Sequence, residues 1–219
     1  MRFIFLILIA IISCNLFSQK IELFGGANKN VFHDYNNDRH FSSTYNSDYG
    51  FSAGFGLDSI KIDWLTLRFT LEYDKYKGKL NATHVSLGGG NTTIANIDKS
   101  VISLGIFPIN FLIFKRIDLN FGLLISRLIT ESNNGTITGW KIGSPDYNYI
   151  LQDRYKRYST LTYFGFQGRI AYDFKISQSI IISPQYIYYF GFSNEFVESP
   201  EDTKSMRHYF RLGIEKNFK

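Results

Sequence analysis

Four histidines, His33, His40, His84 and His208, are the side chains best suited to proton transfer near neutral pH. A hydrolase would need one of them beside a nucleophile and an orienting group at a single site. His33 and His40 fall in one polar stretch, His84 in a second and His208 in an alternating C-terminal run. No serine stands in a nucleophile-elbow context, so no catalytic residue is assigned and the chain is read as a non-enzyme. Asp34-Tyr35-Asn36-Asn37-Asp38 places oxygen ligands at alternate positions, as a calcium loop does, but Arg39 stands where that loop needs glycine. No glutamate follows at the twelfth position, so a solvated loop is the better reading and no metal or cofactor is expected. Gly88-Gly89-Gly90 follows no strand-to-helix phosphate pattern and reads as a loop tip.

One further stretch could bind something. Trp140, Lys141, Tyr147, Tyr149, Arg154, Tyr155, Lys156, Arg157 and Tyr158 mix aromatic rings with cations. Such a mixture can grip an anionic glycan or lipid headgroup, or stack on sugars. Against this stand two plainer readings. The stretch pairs with the acidic segment holding Glu195, Glu198, Glu201 and Asp202, or the tyrosines flank strands that run on past a membrane.

The elements that would position these residues follow from period two, because successive strand residues point to opposite faces. His208, Phe210, Leu212 and Ile214 alternate with Arg207, Tyr209, Arg211, Gly213 and Glu215. Leu65, Leu67, Phe69, Leu71 and Tyr73 alternate with Thr66, Arg68, Thr70, Glu72 and Asp74. Phe164, Phe166, Ile170 and Tyr172 oppose Gly165, Gln167, Arg169 and Asp173, and Tyr49, Phe51, Ala53, Phe55 and Leu57 oppose Gly50, Ser52, Gly54, Gly56 and Asp58. Weaker alternation covers 20–28, 117–128 and 178–191. The stretch 98–114 is apolar on both faces, and Pro108 there marks a bulge or irregular pairing. The pattern predicts eight strands at 20–28, 49–58, 64–76, 98–114, 117–128, 161–174, 178–191 and 206–218. The predicted fold is an all-β, eight-stranded antiparallel up-and-down transmembrane barrel.

The start of the chain reads as an export signal. Arg2 precedes an apolar run from Phe3 to Ile12, which is too short to span as a helix. Cleavage near Ser18 or Gln19 would leave residues 20–219 as the barrel domain and 1–19 as a signal peptide. Ile11-Ile12-Ser13-Cys14 also fits a lipoprotein cleavage box, with Cys14 acylated. The ordinary signal is preferred because Phe17-Ser18-Gln19-Lys20 offers a cleavage site close to the first strand. Cys14 is the single cysteine, so the remainder carries no disulfide. A mean hydropathy of −0.12 excludes a helical membrane protein. The formal charge of +5 comes without a run of lysine or arginine, which argues against a nucleic-acid surface.

The connections alternate in length. Long ones at 29–48, 77–97, 129–160 and 192–205 alternate with short ones at Ser59–Asp63, Lys115–Arg116 and Lys175–Ser177. Transmembrane barrels pair tight periplasmic turns with longer extracellular loops in this way. A lipid-facing Arg or Lys at the midplane costs roughly 2–4 kcal/mol. The face with Arg68, Glu72, Arg169, Asp173, Arg207, Arg211 and Glu215 is therefore expected to point inward and to form a lumen charge network. Eight strands enclose only enough space for side chains to fill, so a plugged interior is expected. Tyr49, Trp64, Tyr73, Tyr76, Tyr163 and Tyr172 suit interfacial aromatic girdles.

With strands and ends placed, the chain resembles the small outer-membrane β-barrel proteins of Bacteroidota, the porin-family or PorT-like group. The likeness is carried by Phe17-Ser18-Gln19-Lys20 with Leu23-Phe24-Gly25-Gly26-Ala27-Asn28, by Ile102-Ser103-Leu104-Gly105-Ile106-Phe107-Pro108, by Phe121-Gly122-Leu123-Leu124-Ile125-Ser126, and by a last strand ending in Phe218-Lys219. The resemblance implies a cell outer-membrane location, contact with outer-membrane lipid and recognition by the barrel insertion machinery, but no single activity. A monomer acting as a structural or surface-interaction protein is the leading reading, with an unidentified surface partner met by the long loops. A narrow channel for small solutes is the alternative. A soluble lipocalin-type barrel is a third reading and a part in assembling a secretion apparatus a fourth.

Overall fold

The computed structural model describes residues 20–34, 41–62, 65–114, 116–153, 159–197 and 202–217. The export signal with Cys14, the terminal Phe218-Lys219, Trp64, the Tyr35–Asp38 part of the calcium-like stretch and Arg154–Tyr158 lie outside the described residues.

The sequence alternation becomes ten strands: β1 (Lys20–Asp34), β2 (Phe41–Ile62), β3 (Leu65–Ser86), β4 (Gly89–Ile113), β5 (Ile117–Lys141), β6 (Ser144–Asp153), β7 (Thr162–Tyr172), β8 (Phe174–Lys175), β9 (Ile180–Gly191) and β10 (Thr203–Asn217). Each pairs antiparallel with its neighbours, in the order β10-β1-β2-β3-β4-β5-β7-β9, and β9 pairs with β10 to close the ring. The seam is long, from Lys20 opposite Asn217 to Asp34 opposite Thr203. Eight staves thus make one antiparallel up-and-down barrel. The two-residue β8 continues the β7 stave past Asp173 and pairs with Ile181 and Ile182 of β9.

Three of the predicted long loops are largely strand. The segment 77–97 contracts to a turn at Leu87–Gly88 between β3 and β4, so Gly89 and Gly90 belong to a strand. The segment 129–160 continues β5 to Lys141, turns at Ile142 and Gly143, and returns as β6, which pairs with β5 alone among the described strands. The segment 29–48 is strand at both ends, through β1 and β2. Beyond the ring, β2 to β6 therefore form a projecting blade in the order β2-β3-β4-β5-β6. Of the four predicted loops, 192–205 is the one whose described residues are mostly irregular.

Length explains the blade. β4 and β5 each run 25 residues, more than twice the 11 of β7 and the 12 of β9, so they extend well past the ring those strands help to close. Two bulges adjust the pairing on the way. Ile106 faces Leu123 but Ile109 faces Phe121, so Phe107 and Pro108 together oppose Gly122. Pro108 has no N–H to give the ladder, and the bulge is where its absence costs least. Val101 faces Leu128 while Ser100 faces Thr130, which leaves Ile129 as the extra residue on β5.

The interior holds two buried hydrophobic clusters. Leu124, Ile187, Tyr189 and Tyr209 form one buried cluster. Phe32, Tyr76, Ile97, Val101, Leu128 and Tyr163 form another toward the blade end. Tyr76 and Tyr163 were expected in the outer girdle and are instead inside. Tyr76 shares its face with Arg68 and Glu72 along β3, and Tyr163 shares that of Gln167 and Arg169 along β7, so strand alternation turns both inward.

Candidate functional site

The lumen brings distant stretches of the chain together around Glu22 of β1. Its carboxylate accepts from the Arg68 guanidinium on β3, from the Gln185 amide on β9 and, at 3.3 Å, from Arg169 on β7. Arg68 also donates to Asp58. Arg169 also donates to Asp118 at 2.7 Å, to the Asn120 side-chain oxygen at 2.5 Å and to Gln185 at 3.1 Å. A Cβ at position 213 would collide with the Glu22 carboxylate and the Gln185 amide, so Gly213 makes the space in which the two meet.

A second polar cluster sits higher. Arg211 donates to Ser52 at 2.8 Å and to Glu72 at 2.7 Å, and lies 3.4 Å from Asp74. Its guanidinium rests over the rings of Phe24 and Tyr209, 4.7 and 4.2 Å from their centroids. Arg207 is held between the rings of Tyr76 and Tyr189, at 4.3 and 4.4 Å, and is 3.8 Å from Asp74. Charges this deeply buried are tolerated because each has a counter-charge, hydrogen bonds or a π face.

The predicted lumen residues therefore separate by position. Arg68, Glu72, Arg169, Arg207, Arg211 and Glu215 are all buried. Glu215 lies toward the tight-turn end, where Lys20 approaches it to 2.9 Å. Asp173 sits at that rim between β7 and β8, accepting from Ser183 at 2.7 Å. Sequence reading missed Glu22, Asp58 and Asp74 as partners. Their inward parity was the available signal: Asp58 and Asp74 share it with Gly56 and Glu72.

At the blade end the interior is capped. The segment after β9 dips inward, placing Glu195 (1% exposed) 3.7 Å from the Lys99 ammonium and accepting from the Tyr76 hydroxyl at 2.8 Å. Lys99 also faces the rings of Phe196, Phe32 and Tyr163 at 4.2, 5.5 and 5.7 Å. Phe196 stacks on Tyr45 at 5.9 Å and forms an isolated bridge with Ser159, and the Glu195 backbone carbonyl accepts from the Thr160 amide at 3.1 Å. The bases of the third and fourth connections are thus joined, and Glu195 turns into the mouth instead of out to solvent.

The candidate loop surface is a β-hairpin. Trp140 and Lys141 end β5, and Tyr147 and Tyr149 lie on β6. Cross-strand partners share a face. Gly139 opposite Tyr147 and Ile137 opposite Tyr149 put the two tyrosines on the inner side, with Ala82 and Ala95. Trp140 falls on the outer side with the row Thr83, Thr92, Thr138 and Asn148. A groove of about 400 Å³ lies at this tip, lined among others by Trp140, Asp146, Asn148 and that threonine row. Among the described residues of the stretch, the sheet thus separates Trp140 from Tyr147 and Tyr149. Of the histidines, His84 lines this groove and His208 stands on the barrel exterior, bonded to the Tyr186 hydroxyl at 2.7 Å and packed on the Tyr188 ring.

No protein-family profile matches the chain, and no curated protein matches its sequence. Solved structures do resemble it. Neisserial surface protein A is 14% identical, with 91% of this chain and 97% of that one covered and a TM-score of 0.41. Ail, the attachment invasion locus protein of Yersinia pestis, solved in complex with the heparin analogue sucrose octasulfate, is 10% identical, with 90% and 98% covered and a TM-score of 0.39. The outer membrane protein OprG of Pseudomonas aeruginosa is 11% identical, with 92% and 96% covered and a TM-score of 0.40.

Proposed function

We propose that this chain is an integral outer-membrane barrel with a side-chain-filled interior, acting as a structural or surface-interaction protein through the blade it holds outside the membrane. One observation carries the reading: the same strands bear apolar side chains outward and paired ions inward. Leu23, Phe51, Ile102, Leu123, Phe164, Phe210 and Leu212 are all exposed. Their inward neighbours include Glu22, Ser52, Ser103, Tyr163, Tyr209 and Arg211, all buried. A water-soluble barrel of lipocalin type would need the opposite arrangement. An apolar belt of this extent is stable where hydrocarbon, not water, surrounds it.

The tight-turn end would face the periplasm and the blade the outside, as in barrels with short periplasmic connections. The filled lumen favours surface interaction over conduction, since Arg207, Tyr209, Tyr189, Leu124 and Gln167 occupy the interior. Kinship with the Bacteroidota porin-family or PorT-like group belongs to this proposal. It is supported by the Phe107-Pro108 bulge in β4 and the glycine-containing β1. The test is outer-membrane fractionation with an SDS gel run before and after boiling. A faster unboiled band in the outer-membrane fraction is expected. Recovery of the mature protein in the soluble periplasm would overturn the reading, and stable unitary steps in planar bilayers would replace the filled barrel with the narrow-channel alternative.

A further inference from the structure

The outer face of the blade tip differs chemically from the rest of the barrel surface. Its rows read Asn81, Ile94, Thr136 and Ile150, then Thr83, Thr92, Thr138 and Asn148, across β3, β4, β5 and β6. Neither row carries a charge. The next positions along β3, β4 and β5 are Val85, Gly90 and Trp140. Trp140 is 46% exposed, and a Cβ on Gly90 would stand 3.1 Å from its indole Nε1 and 3.4 Å from Cε2, so the ring lies against that glycine. Beside it, Asp146 and Asn148 line the same groove.

We infer that this groove is a binding site for a neutral saccharide. A half-exposed indole beside a row of hydroxyls, with a carboxylate and an amide lining the same groove, matches the two faces of a pyranose. The apolar C–H face packs on an aromatic plane, and adjacent hydroxyls share a carboxylate or amide. The hydroxyls retain capacity for this. Thr83 and Thr92 approach each other at 3.3 Å, and Thr138 makes only a long 3.5 Å contact to the Thr92 carbonyl. The groove's volume of about 400 Å³ falls in the range of small-molecule sites, about 300–1,000 Å³.

Charge decides which saccharide. No lysine or arginine is among the groove's lining residues, and Asp146 would repel a sulfate or carboxylate. The ligand is therefore uncharged at the sugar that sits on Trp140. The proposal rests on the blade being the outward end of a membrane barrel, where surface glycans would reach it.

The test uses the full chain folded in a micelle whose detergent has no sugar headgroup. The chain has two tryptophans, so a Trp64→Phe background isolates the Trp140 emission. Neutral gluco-, galacto- and N-acetylglucosamine oligosaccharides are titrated against a heparin-derived sulfated oligosaccharide. A saturable shift of Trp140 emission with at least one neutral series is expected, with the sulfated one weaker. Asp146→Asn should weaken binding about tenfold or more, the equivalent of one charge-assisted hydrogen bond. Trp140→Ala, followed by calorimetry since the probe is gone, should abolish it while the unboiled gel band persists. No saturable response to any neutral sugar, tighter binding of the sulfated one, or unchanged binding in Asp146→Asn would each overturn the inference. If neutral sugars bind but the protein does not fractionate with the outer membrane, the location falls and the site stands.

Discussion

Within single strands, the barrel wall and the blade are built on opposite polarities. In the lower part of β3, Phe69, Leu71 and Tyr73 face out while Arg68, Thr70, Glu72 and Asp74 face in. Past Lys75 the outward residues become Lys77, Lys79, Asn81 and Thr83, and the inward ones Tyr76, Leu80 and Ala82. β4 reverses at the same height, from outward Ile102 and Leu104 to outward Asp98 and Asn96. In β5 the reversal coincides with the extra residue Ile129. On the proposed membrane placement, the difference teaches where hydrocarbon ends. A sheet face is apolar wherever it meets either lipid or its own packed core, and here the two exchange sides at one level. The Lys75–Asp98 pair, 3.2 Å apart on the outer face, marks that level.

The comparison can be broken most sharply inside the wall. Glu22→Leu leaves the Arg68 and Arg169 guanidiniums without their shared carboxylate, and removing one partner of a buried pair costs about 3–5 kcal/mol. Urea unfolding from lipid vesicles should show a large drop in midpoint, and an unchanged midpoint would end the claim that Glu22 organises the lumen.

A matched pair of arginines on the outer face of β5, one on each side of the Ile129 bulge, tests the reversal itself. Leu123→Arg should cost about 2–4 kcal/mol in the same assay. Thr136→Arg, on the blade's outer face, should stay within about 0.5 kcal/mol, the usual range for surface changes. Equal costs would remove the boundary.

The inner face of the blade has its own test. Ala95→Asp places a carboxyl at a buried site beside Leu80, and burying a polar group without partners costs about 1–3 kcal/mol on mutational scales. The loss should be local, read as faster proteolysis within β3 to β6 while the barrel keeps its unboiled gel mobility. A small effect is also expected of Lys75→Met. It removes a half-exposed ion pair worth about 0–1 kcal/mol, and the residual difference should vanish in high salt.

The wall was legible in the sequence and the blade was not, for the same physical reason. Alternation in β10, from Arg207 to Glu215, or in β3, from Arg68 to Tyr73, sets ions against aliphatic groups, a contrast visible residue by residue. In the blade, β4 sets Thr92, Ile94 and Asn96 against Thr93, Ala95 and Ile97, a contrast too shallow to separate strand from loop. β6 begins Ser144-Pro145-Asp146, a turn signal followed by a strand. Tyr76 was misplaced because a tyrosine near a strand end fits either side of the wall, and only strict alternation along β3 assigns it. Of the candidate sites, inward parity pointed to the arginines, but their partners came from register between strands far apart in sequence. The division of Trp140 from Tyr147 and Tyr149 depends on the register of β6 against β5, which the turn signal at 143–146 does not fix.

The centre of the lumen also constrains how the molecule can be built. Glu22 lies in the first strand, yet it binds Arg169, 147 positions away, and Gln185, 163 positions away. Arg211 in the last strand reaches back to Ser52 and Glu72, 159 and 139 positions away. Pairs between nearby strands, such as Glu22 with Arg68 and Arg169 with Asp118, need no closed ring. Those that span the barrel, Glu22 with Arg169 and Arg211 with Glu72, form only when the seam between Lys20 and Asn217 shuts, so on the proposed membrane placement closure itself completes the neutralisation of the lumen.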